Sequence, residues 1–195
     1  MEGVRKLATF FRLYLTSPNV IGAVAPSSTY LAQRMVEWLE WENAGAVIEY
    51  GPGTGSFTSE ILKRARSSCK YVGIEINPVL ARIFRQRFPL LTLYEDSVAN
   101  VKSICEKEGI KAADCIICGL PWAFFSASAQ TQFLEAMMTV LRPGGQFVTF
   151  AYLQGLLLPA GQRFRSRLRQ YFSHMSTSRT VWLNVPPAFV YRCRR

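Results

Sequence analysis

The segment that most constrains the fold is a glycine-rich turn that follows a short apolar run. Residues 47–55 read Val-Ile-Glu-Tyr-Gly-Pro-Gly-Thr-Gly. Glycine lets a chain turn sharply, and it lets a ligand approach the backbone where side chains would collide with it. The spacing G-x-G-x-G differs from the G-x-G-x-x-G of dinucleotide-binding turns. We therefore predict a buried strand that ends at Tyr50 and a ligand-binding turn made by Gly51, Gly53 and Gly55.

The rest of the chain alternates short apolar runs with amphipathic ones, which indicates an α/β fold with a mostly parallel sheet and helices on both faces. We predict strands at residues 46–50, 71–76, 91–94, 115–118 and 146–152, and a closing pair of strands at 180–185 and 188–192. Helices are expected at residues 2–15, 29–40, 58–66, 78–88, 98–108, 129–141 and 160–172. Residues 1–195 then form a single domain, in which an amphipathic contact segment (1–28) precedes the core (29–195).

Acidic residues stand on or after three successive predicted strands. Glu49 lies on the first strand, Glu75 ends the second, and Asp96 with Ser97 follows the third. Glu75 comes twenty positions after Gly55, a spacing that places a carboxylate to accept hydrogen bonds from a ribose diol in both NAD and S-adenosylmethionine binders. Their order at strand ends predicts a ligand crevice rather than a set of solvated loop residues.

Over residues 46–152 the chain resembles the class I S-adenosylmethionine-dependent methyltransferases. The resemblance implies a Rossmann-like sheet of seven strands whose last pair is a reversed β-hairpin. It implies that Gly51, Gly53 and Gly55 pass under the cofactor, and that Glu49 lies near its methionine end. It also implies that Glu75, with the adjacent Ile76, holds the ribose, while Asp96 and Ser97 face the adenine.

A fourth motif, Gly119-Leu120-Pro121-Trp122, stands after the fourth strand. Amino-methylating relatives carry Asn-Pro-Pro-Tyr or Asn-Leu-Pro-Tyr there, and their asparagine accepts a hydrogen from a planar amino group. Gly119 lacks that acceptor, which disfavours adenine as the methyl acceptor. We predict that Leu120, Pro121 and Trp122 contact the acceptor, with the Trp122 ring against an ammonium group in a cation–π contact of about 0.5–2 kcal/mol. The alternative is a core tryptophan beneath the turn.

A narrower resemblance covers nearly the whole chain. Residues 15–28, 119–122 and 179–192 are similar to those of bacterial phospholipid N-methyltransferases. This implies N-methylation of a phosphatidylethanolamine-like amino lipid, in which an amine lone pair attacks the sulfonium methyl group in line. Tyr30, His174 or water is the candidate acceptor of the amine proton. Two alternatives stay open: an RNA adenine methyltransferase, and a non-catalytic relic of the fold that binds membrane or RNA.

The charge distribution indicates an anionic partner. The net charge is +10, and residues 160–195 contain eight arginines and no acidic residue. Such a flank suits nucleic acid or the headgroups of an acidic membrane. The predicted helix at residues 2–15 carries aromatic and leucine side chains on one side and is suited to a bilayer interface. We favour an anionic membrane over nucleic acid as the partner. We expect a cytoplasmic protein that is bound peripherally to the inner face of the cell membrane.

The cysteines do not predict a metal site. Cys115 and Cys118 form a C-x-x-C pair, but they fall on a predicted strand, where residues three apart lie on opposite faces. The five cysteines are odd in number and irregularly spaced, which is typical of free thiols in a reducing compartment. We therefore predict two small core residues and no bound metal.

Overall fold

A computed structural model describes residues 27–195 of the chain. In this part, the helices are α1 (Thr29–Val36), α2 (Ser56–Leu62), α3 (Pro78–Arg87), α4 (Val101–Lys107), α5 (Ala127–Val140) and α6 (Pro159–Tyr171). The strands are β1 (Ala46–Tyr50), β2 (Lys70–Ile74), β3 (Thr92–Tyr94), β4 (Ala113–Cys118), β5 (Leu141–Tyr152), β6 (His174–Thr177) and β7 (Ala188–Arg194). The helix predicted at residues 2–15 lies outside the described residues.

The strands form one seven-stranded sheet in the order β3-β2-β1-β4-β5-β7-β6. Strands β1 to β5 are parallel, whereas β7 runs antiparallel to both β5 and β6. This confirms the predicted α/β fold with a mostly parallel sheet and a reversed closing pair. Among the described helices, none is long and apolar enough to cross a bilayer.

Two apolar cores lie on the two faces of the sheet, because successive side chains of a strand alternate between faces. On β1, Ile48 belongs to one core and Val47 to the other. The same division separates Cys118 from Cys115, which confirms that the C-x-x-C pair is split by the sheet. Both thiols are buried and unbridged.

Helix starts follow the capping residues in the sequence. The Ser28 hydroxyl accepts a hydrogen bond from the Leu31 amide at the start of α1. The Asn77 side chain accepts from two amides at the start of α3, where Pro78 occupies the first turn and has no amide hydrogen to satisfy. These caps set where α1 and α3 begin, and so they help to place the loops at one edge of the sheet.

The closing pair of strands differs from the prediction. The partner of β7 is β6, which precedes the predicted segment, and residues 180–185 contribute only an isolated bridge between Val181 and Ala188. Pro186 and Pro187 have no amide hydrogen for a ladder bond, so the ladder does not extend through the 178–187 connection. Strand β6 is a partly exposed edge strand with polar residues, a pattern that resembles a loop.

The start of β5 is also earlier than predicted. Helix α5 ends at Val140, as the Arg-Pro-Gly-Gly stop signal of residues 142–145 indicates, but β5 already begins at Leu141. The register with β4 shifts between Ala113 and Cys115. The stop signal therefore lies within an irregular strand start rather than in a free loop.

Candidate cofactor and acceptor cleft

The glycine turn after β1 requires glycine for conformation and for space. The φ angles of Gly51, Gly53 and Gly55 are 64°, 57° and 86°, in the left-handed region that other residues rarely adopt. A Cβ atom on Gly55 would lie 2.1 Å from the Phe88 ring, and one on Gly51 would lie 2.8 Å from the Leu120 side chain. Any other residue at position 51 or 55 would therefore be strained and would displace a packed side chain.

The carboxylate of Glu75 is held in place by the backbone on both sides of it. Its Oε2 accepts a hydrogen bond from the Gly53 amide at 3.1 Å, and its Oε1 accepts from the Asn77 amide at 2.9 Å. Burial raises the pKa of Glu75, while the backbone hydrogen bonds from Asn77, Gly53 and Ile76 oppose this rise. Each oxygen retains a further lone pair that can accept a hydrogen bond from a ligand.

The glycine turn and the strand ends border a cleft of about 260 Å³ that is open to solvent. The cleft lies where β1 is followed in the sheet by β4 rather than by the next strand, the usual ligand site of such sheets. It is lined by Gly51, Ile74, Glu75, Ile76, Asp96, Ser97, Val98, Gly119, Leu120, Pro121, Phe125 and Phe133. The structure thus brings together seven of the predicted site residues.

Asp96 and Ser97 reach the cleft because strand pairing continues past the ends of β2 and β3. The Glu75 amide donates to the Tyr94 carbonyl at 2.9 Å, and the Asp96 amide donates to the Glu75 carbonyl at 3.2 Å. Oδ1 of Asp96 accepts from the Ser97 amide at 2.6 Å and from the side chain of Asn100 at 2.8 Å. This loop is therefore held rigidly beside Glu75.

Gly119 lies directly against the glycine turn. Its amide donates to the Tyr50 carbonyl at 2.7 Å, and a Cβ atom at this position would lie 2.7 Å from the Gly51 carbonyl oxygen. No side chain fits at position 119 with this backbone. The glycine is therefore a packing requirement of the junction between β1 and β4 as well as the loss of a side-chain acceptor.

Trp122 is placed in the core rather than on the cleft. The residue is 3% exposed, and one face of its ring stacks on Phe164 at a centroid distance of 4.3 Å. Other rings meet it edge-on, namely those of Phe125, Phe133 and Phe147. The face that the sequence analysis assigned to an ammonium group is thus covered. The predicted contact between Trp122 and an ammonium group is therefore wrong for this arrangement. Trp122 is a core tryptophan beneath the turn, because neighbouring phenylalanines surround its ring.

Glu49 is fully buried beneath the glycine turn and is not among the residues that line the cleft. Its Oε2 accepts hydrogen bonds of 2.7 Å from the hydroxyls of Thr58 and Tyr71. Burial raises its pKa to about 7, although those two hydrogen bonds act in the opposite direction. Glu49 therefore links β1 to α2 and β2 through these two hydrogen bonds. Its placement near the methionine end of a bound cofactor stays a prediction.

The two candidate proton acceptors lie away from the cleft lining. Tyr30 is 57% exposed on the first turn of α1. His174 begins β6 and pairs with Arg194 at the amino end of β5, which is the opposite edge of the sheet from the cleft. His174 is therefore excluded by position, because the reversed strands place it far from the carboxyl ends of β1 to β5.

Two cleft residues had no individual signal in the sequence. Phe133 lies on α5 and belongs to none of the motifs, and Val98 begins the short 3₁₀ turn before α4. Apolar spacing marks both as inward-facing residues but does not separate a cleft wall from a core. They are identified by the packing of α5, which contacts the loop after β4 through Phe133 and Phe125 and also packs against the 3₁₀ turn that holds Val98.

Comparison with known proteins agrees with this geometry. A family model described as a methyltransferase domain matches residues 47–145. The chain is 31% identical over 188 residues to an ornithine lipid N-methyltransferase from Singulisphaera acidiphila, which covers 95% of this chain and 94% of that protein. The chain belongs to the S-adenosylmethionine-dependent methyltransferases. The sequence-based family assignment is thereby confirmed.

Solved structures share the fold of this methyltransferase. An O-methyltransferase from Bacillus cereus in complex with SAH matches with a TM-score of 0.68 at 13% identity, over 97% of this chain and 88% of that one. A TehB-like SAM-dependent methyltransferase from Corynebacterium glutamicum matches with a TM-score of 0.61 at 12% identity, over 96% and 99% of the two chains. Together with the family match, these neighbours indicate that the methyltransferase uses S-adenosylmethionine as its cofactor.

The cleft of the methyltransferase fits that cofactor. Gly51 lines the cleft without a side chain of its own, and the fixed carboxylate of Glu75 provides lone pairs for two vicinal hydroxyls. Ile76 is an exposed apolar side chain beside that carboxylate, suited to a flat nucleobase. Among the described residues, no group of three or more metal-binding side chains occurs.

Proposed function

We propose that this methyltransferase transfers methyl groups to the headgroup amine of an amino lipid, either phosphatidylethanolamine-like or related. The observation that carries the proposal is the 31% identity, over nearly the full length of both chains, to a protein named for N-methylation of ornithine lipid. The known substrate of that relative is an amine carried by a lipid. An amine on a lipid is therefore the acceptor that we infer for this chain.

The acceptor end of the cleft supports an aliphatic amine. Its lining is apolar at Leu120, Pro121, Phe125 and Phe133, and position 119 has no side chain that could accept a hydrogen from a planar amino group. The same feature weighs against the alternative of an RNA adenine methyltransferase. A relic of the fold is not favoured, since the fixed carboxylate and the bare turn are both present.

We assign the cofactor to seven residues of the cleft and turn: Gly51, Gly53, Gly55, Glu75, Ile76, Asp96 and Ser97. When bound, S-adenosylmethionine supplies an electrophilic methyl group. The chain contributes position: Glu75 fixes the ribose, and Leu120 and Pro121 bring the amine into line while excluding water. Among the described residues that line the cleft, there is no histidine, lysine or cysteine. Of the three candidate acceptors of the ammonium proton, Tyr30 and His174 lie away from this lining, so water is the acceptor that we propose.

Arginines on α6 support action at an anionic membrane surface. Arg163, Arg165 and Arg169 are exposed, on a helix that packs through Phe164 and Leu168. Each basic residue near such a surface contributes about 1 kcal/mol of attraction. We accordingly propose a cytoplasmic protein, bound peripherally to the inner face of the cell membrane.

The test is methyl transfer from radiolabelled S-adenosylmethionine to a panel of acceptors. The panel contains vesicles with phosphatidylethanolamine, vesicles with ornithine lipid, and total RNA, and the products are separated by solvent extraction. We expect label in the lipid phase for the wild type and a large loss of that label for Glu75→Gln. The control Glu135→Gln, which alters an exposed carboxylate on α5, should transfer as much label as the wild type. Label confined to RNA, or no transfer by protein that binds the cofactor in calorimetry, would contradict the proposal.

A further inference from the structure

Four large apolar side chains are exposed around the same edge of the sheet as the cleft. Leu157 is 74% exposed, Trp182 69%, Leu183 66% and Val185 87%. Leu157 ends the 3₁₀ turn that follows β5, and the other three lie in the connection between β6 and β7. Isolated exposed apolar residues are ordinary, but several together mark an interaction surface.

Strand pairing places the β6–β7 connection beside the cleft. The first residue of β7, Ala188, pairs with Tyr152, the last residue of β5. The amide of Leu153 then donates to the Pro187 carbonyl at 3.1 Å. The connection therefore leaves the sheet at the carboxyl end of β5, the edge at which the turns after the parallel strands form the cleft.

The connection is held in shape around its exposed residues. Asn184 is buried, its side-chain amide donates to the Pro186 carbonyl at 2.8 Å, and its Oδ1 accepts from the Ser28 amide at 3.0 Å. On the other side, the Val181 amide donates to the Ala188 carbonyl at 2.7 Å. Leu183 and Val185, which flank Asn184, are thus held outward by a fixed loop. The exposure is built into the fold.

Charge indicates which partner covers this surface. The exposed Arg179 begins the segment, the exposed Arg163 and Arg165 lie in the first half of α6, which starts at this edge, and residues 160–195 contain no acidic residue. A second copy of the chain would bring the same positive charge against it, whereas an anionic bilayer complements it. Tryptophan is also the side chain that favours the bilayer interface, with its ring among the headgroups.

We propose that residues 182–185, together with Leu157, form an insertion surface that enters the interface of an anionic bilayer and turns the mouth of the cleft toward the headgroups. This rests on the proposed function, because it explains how an amine that stays in the membrane reaches the cleft. The ligand is the bilayer interface itself. The surface is separate from the α6 arginines, which supply long-range attraction only.

Insertion is tested directly by the fluorescence of Trp182. The full-length protein is mixed with vesicles of phosphatidylglycerol and phosphatidylethanolamine that carry brominated acyl chains. We expect a blue shift and quenching of tryptophan emission in the wild type, and loss of both in Trp182→Phe, which still sediments with the vesicles. Emission from Trp182 that vesicles leave unchanged, while the protein is bound to them, would overturn the proposal.

The energetic contribution is tested by a double variant, Trp182→Ser with Leu183→Ser. We expect vesicle partitioning and transfer to vesicle-embedded amines to fall about tenfold or more. Transfer to a short-chain amino lipid below its micelle concentration should be unchanged. The matched control is Leu90→Ser, since Leu90 is 96% exposed just before the amino end of β3, at the opposite edge of the sheet. Its vesicle binding should equal that of the wild type.

The outcomes separate this inference from the proposed function. Normal partitioning of the double variant overturns the insertion surface and leaves the enzyme assignment intact. Wild-type protein that transfers no methyl group to any amino lipid overturns the function, while sedimentation and quenching still decide the surface. A wild-type dimer that the double substitution converts to a monomer, with vesicle binding unaltered, would assign the surface to a second copy instead.

Discussion

At the scale of single residues, the site depends on two stretches of backbone that touch without side chains between them. The Gly119 amide bonds to Tyr50, and the position of its missing Cβ lies 2.7 Å from the Gly51 carbonyl oxygen. Gly51 itself is in the left-handed region and faces Leu120. The glycine turn and the loop of residues 119–122 are therefore packed as one unit, and a change in one displaces the other.

We predict that Gly119→Asn, which introduces the asparagine of amino-methylating relatives, will not give adenine methylation. Both Gly119→Asn and Gly119→Ala should lower the affinity for S-adenosylmethionine by roughly tenfold or more, because overpacking shifts backbone at a cost of about 1–3 kcal/mol. Titration calorimetry measures this. Gly45→Ala is the control, since its Cβ would make an ordinary contact of 3.6 Å with Asp114. Equal affinities for all these variants would refute the prediction.

A second prediction concerns the buried carboxyl of Glu49. Its pKa rises from an ordinary 4.5 to about 7 in the folded protein, chiefly through burial. The native state therefore binds a proton more tightly than the unfolded chain does, and stability falls as pH rises through this window. The full difference above pH 7 corresponds to about 3 kcal/mol.

Thermal unfolding of wild type and Glu49→Gln between pH 5 and 8 measures this effect. We expect the wild type to lose stability relative to the variant as pH rises, and the difference to level off above pH 7. Glu60→Gln provides a flat contrast, because bonds to Lys63 and Arg64 lower the pKa of Glu60, and the stability that this carboxylate contributes is lost only as pH falls below the ordinary carboxyl range. A difference between wild type and Glu49→Gln that does not vary with pH would show that Glu49 is charged throughout.

At the scale of elements, three strands are tied together at the edge of the sheet opposite the cleft. Oδ2 of Asp114 on β4 accepts from the amides of Gly45 and Ala46 at the start of β1, at 2.8 and 3.0 Å. Its Oδ1 accepts from the guanidinium of Arg142 on β5. Burial would raise the pKa of Asp114, but its bonds to Arg142 and to the two amides outweigh that effect and lower it.

We predict that Asp114→Ala destabilises the protein by about 1–3 kcal/mol at neutral pH, since two backbone amides lose their acceptor. Because the pKa of Asp114 is lowered, its stabilisation is complete at pH values above the ordinary pKa of an aspartate. It is lost as pH falls below that value. Urea unfolding measures the loss. Affinity for S-adenosylmethionine at a temperature where the variant is folded should not change, because the cleft lies at the other edge. A parallel loss of affinity would contradict this separation.

At the scale of the whole molecule, the chain combines one cleft with a strongly positive surface. The net charge is +10, and the arginines of α6 lie on the element that follows the cleft edge of β5. Attraction to an anionic membrane should depend on where this charge lies as well as on its sum, because screening limits its reach to about 10 Å at 0.1 M salt. Two variants of equal net charge distinguish the two contributions.

We predict that the triple variant Arg163→Ser, Arg165→Ser and Arg169→Ser binds anionic vesicles roughly tenfold to a hundredfold more weakly than the wild type at low salt. The matched variant has serine at Lys102, Lys107 and Lys111, exposed residues on or near α4. Each variant has a net charge of +7, which is +10 minus three. The lysine variant should bind within a few-fold of the wild type. Equal losses in sedimentation over a salt series would assign binding to net charge alone.

Features that depend on neighbours along the chain could be predicted before the structure was known. The apolar run to Tyr50 and the glycines after it specify a strand, a turn and a helix, and Asn77-Pro78 specifies a helix start. The order of these signals predicted the sheet and the family. Glu75, Asp96 and Ser97 were found because parallel strands all end at one edge.

Features that depend on contacts across the sheet could not be predicted from the sequence and required the folded structure. The sequence allowed two positions for Trp122, and the stacking of Phe164 on its ring shows that it lies in the core. The sequence also allowed His174 as a proton acceptor, but the reversed strands place it at the edge of the sheet opposite the cleft. The outward positions of Leu183 and Val185 likewise depend on the buried Asn184 between them, which accepts a hydrogen bond from Ser28, a residue far away in the sequence. Apolar patterning reports that a side chain prefers to leave water, but the partner that it meets is set by elements far away in sequence.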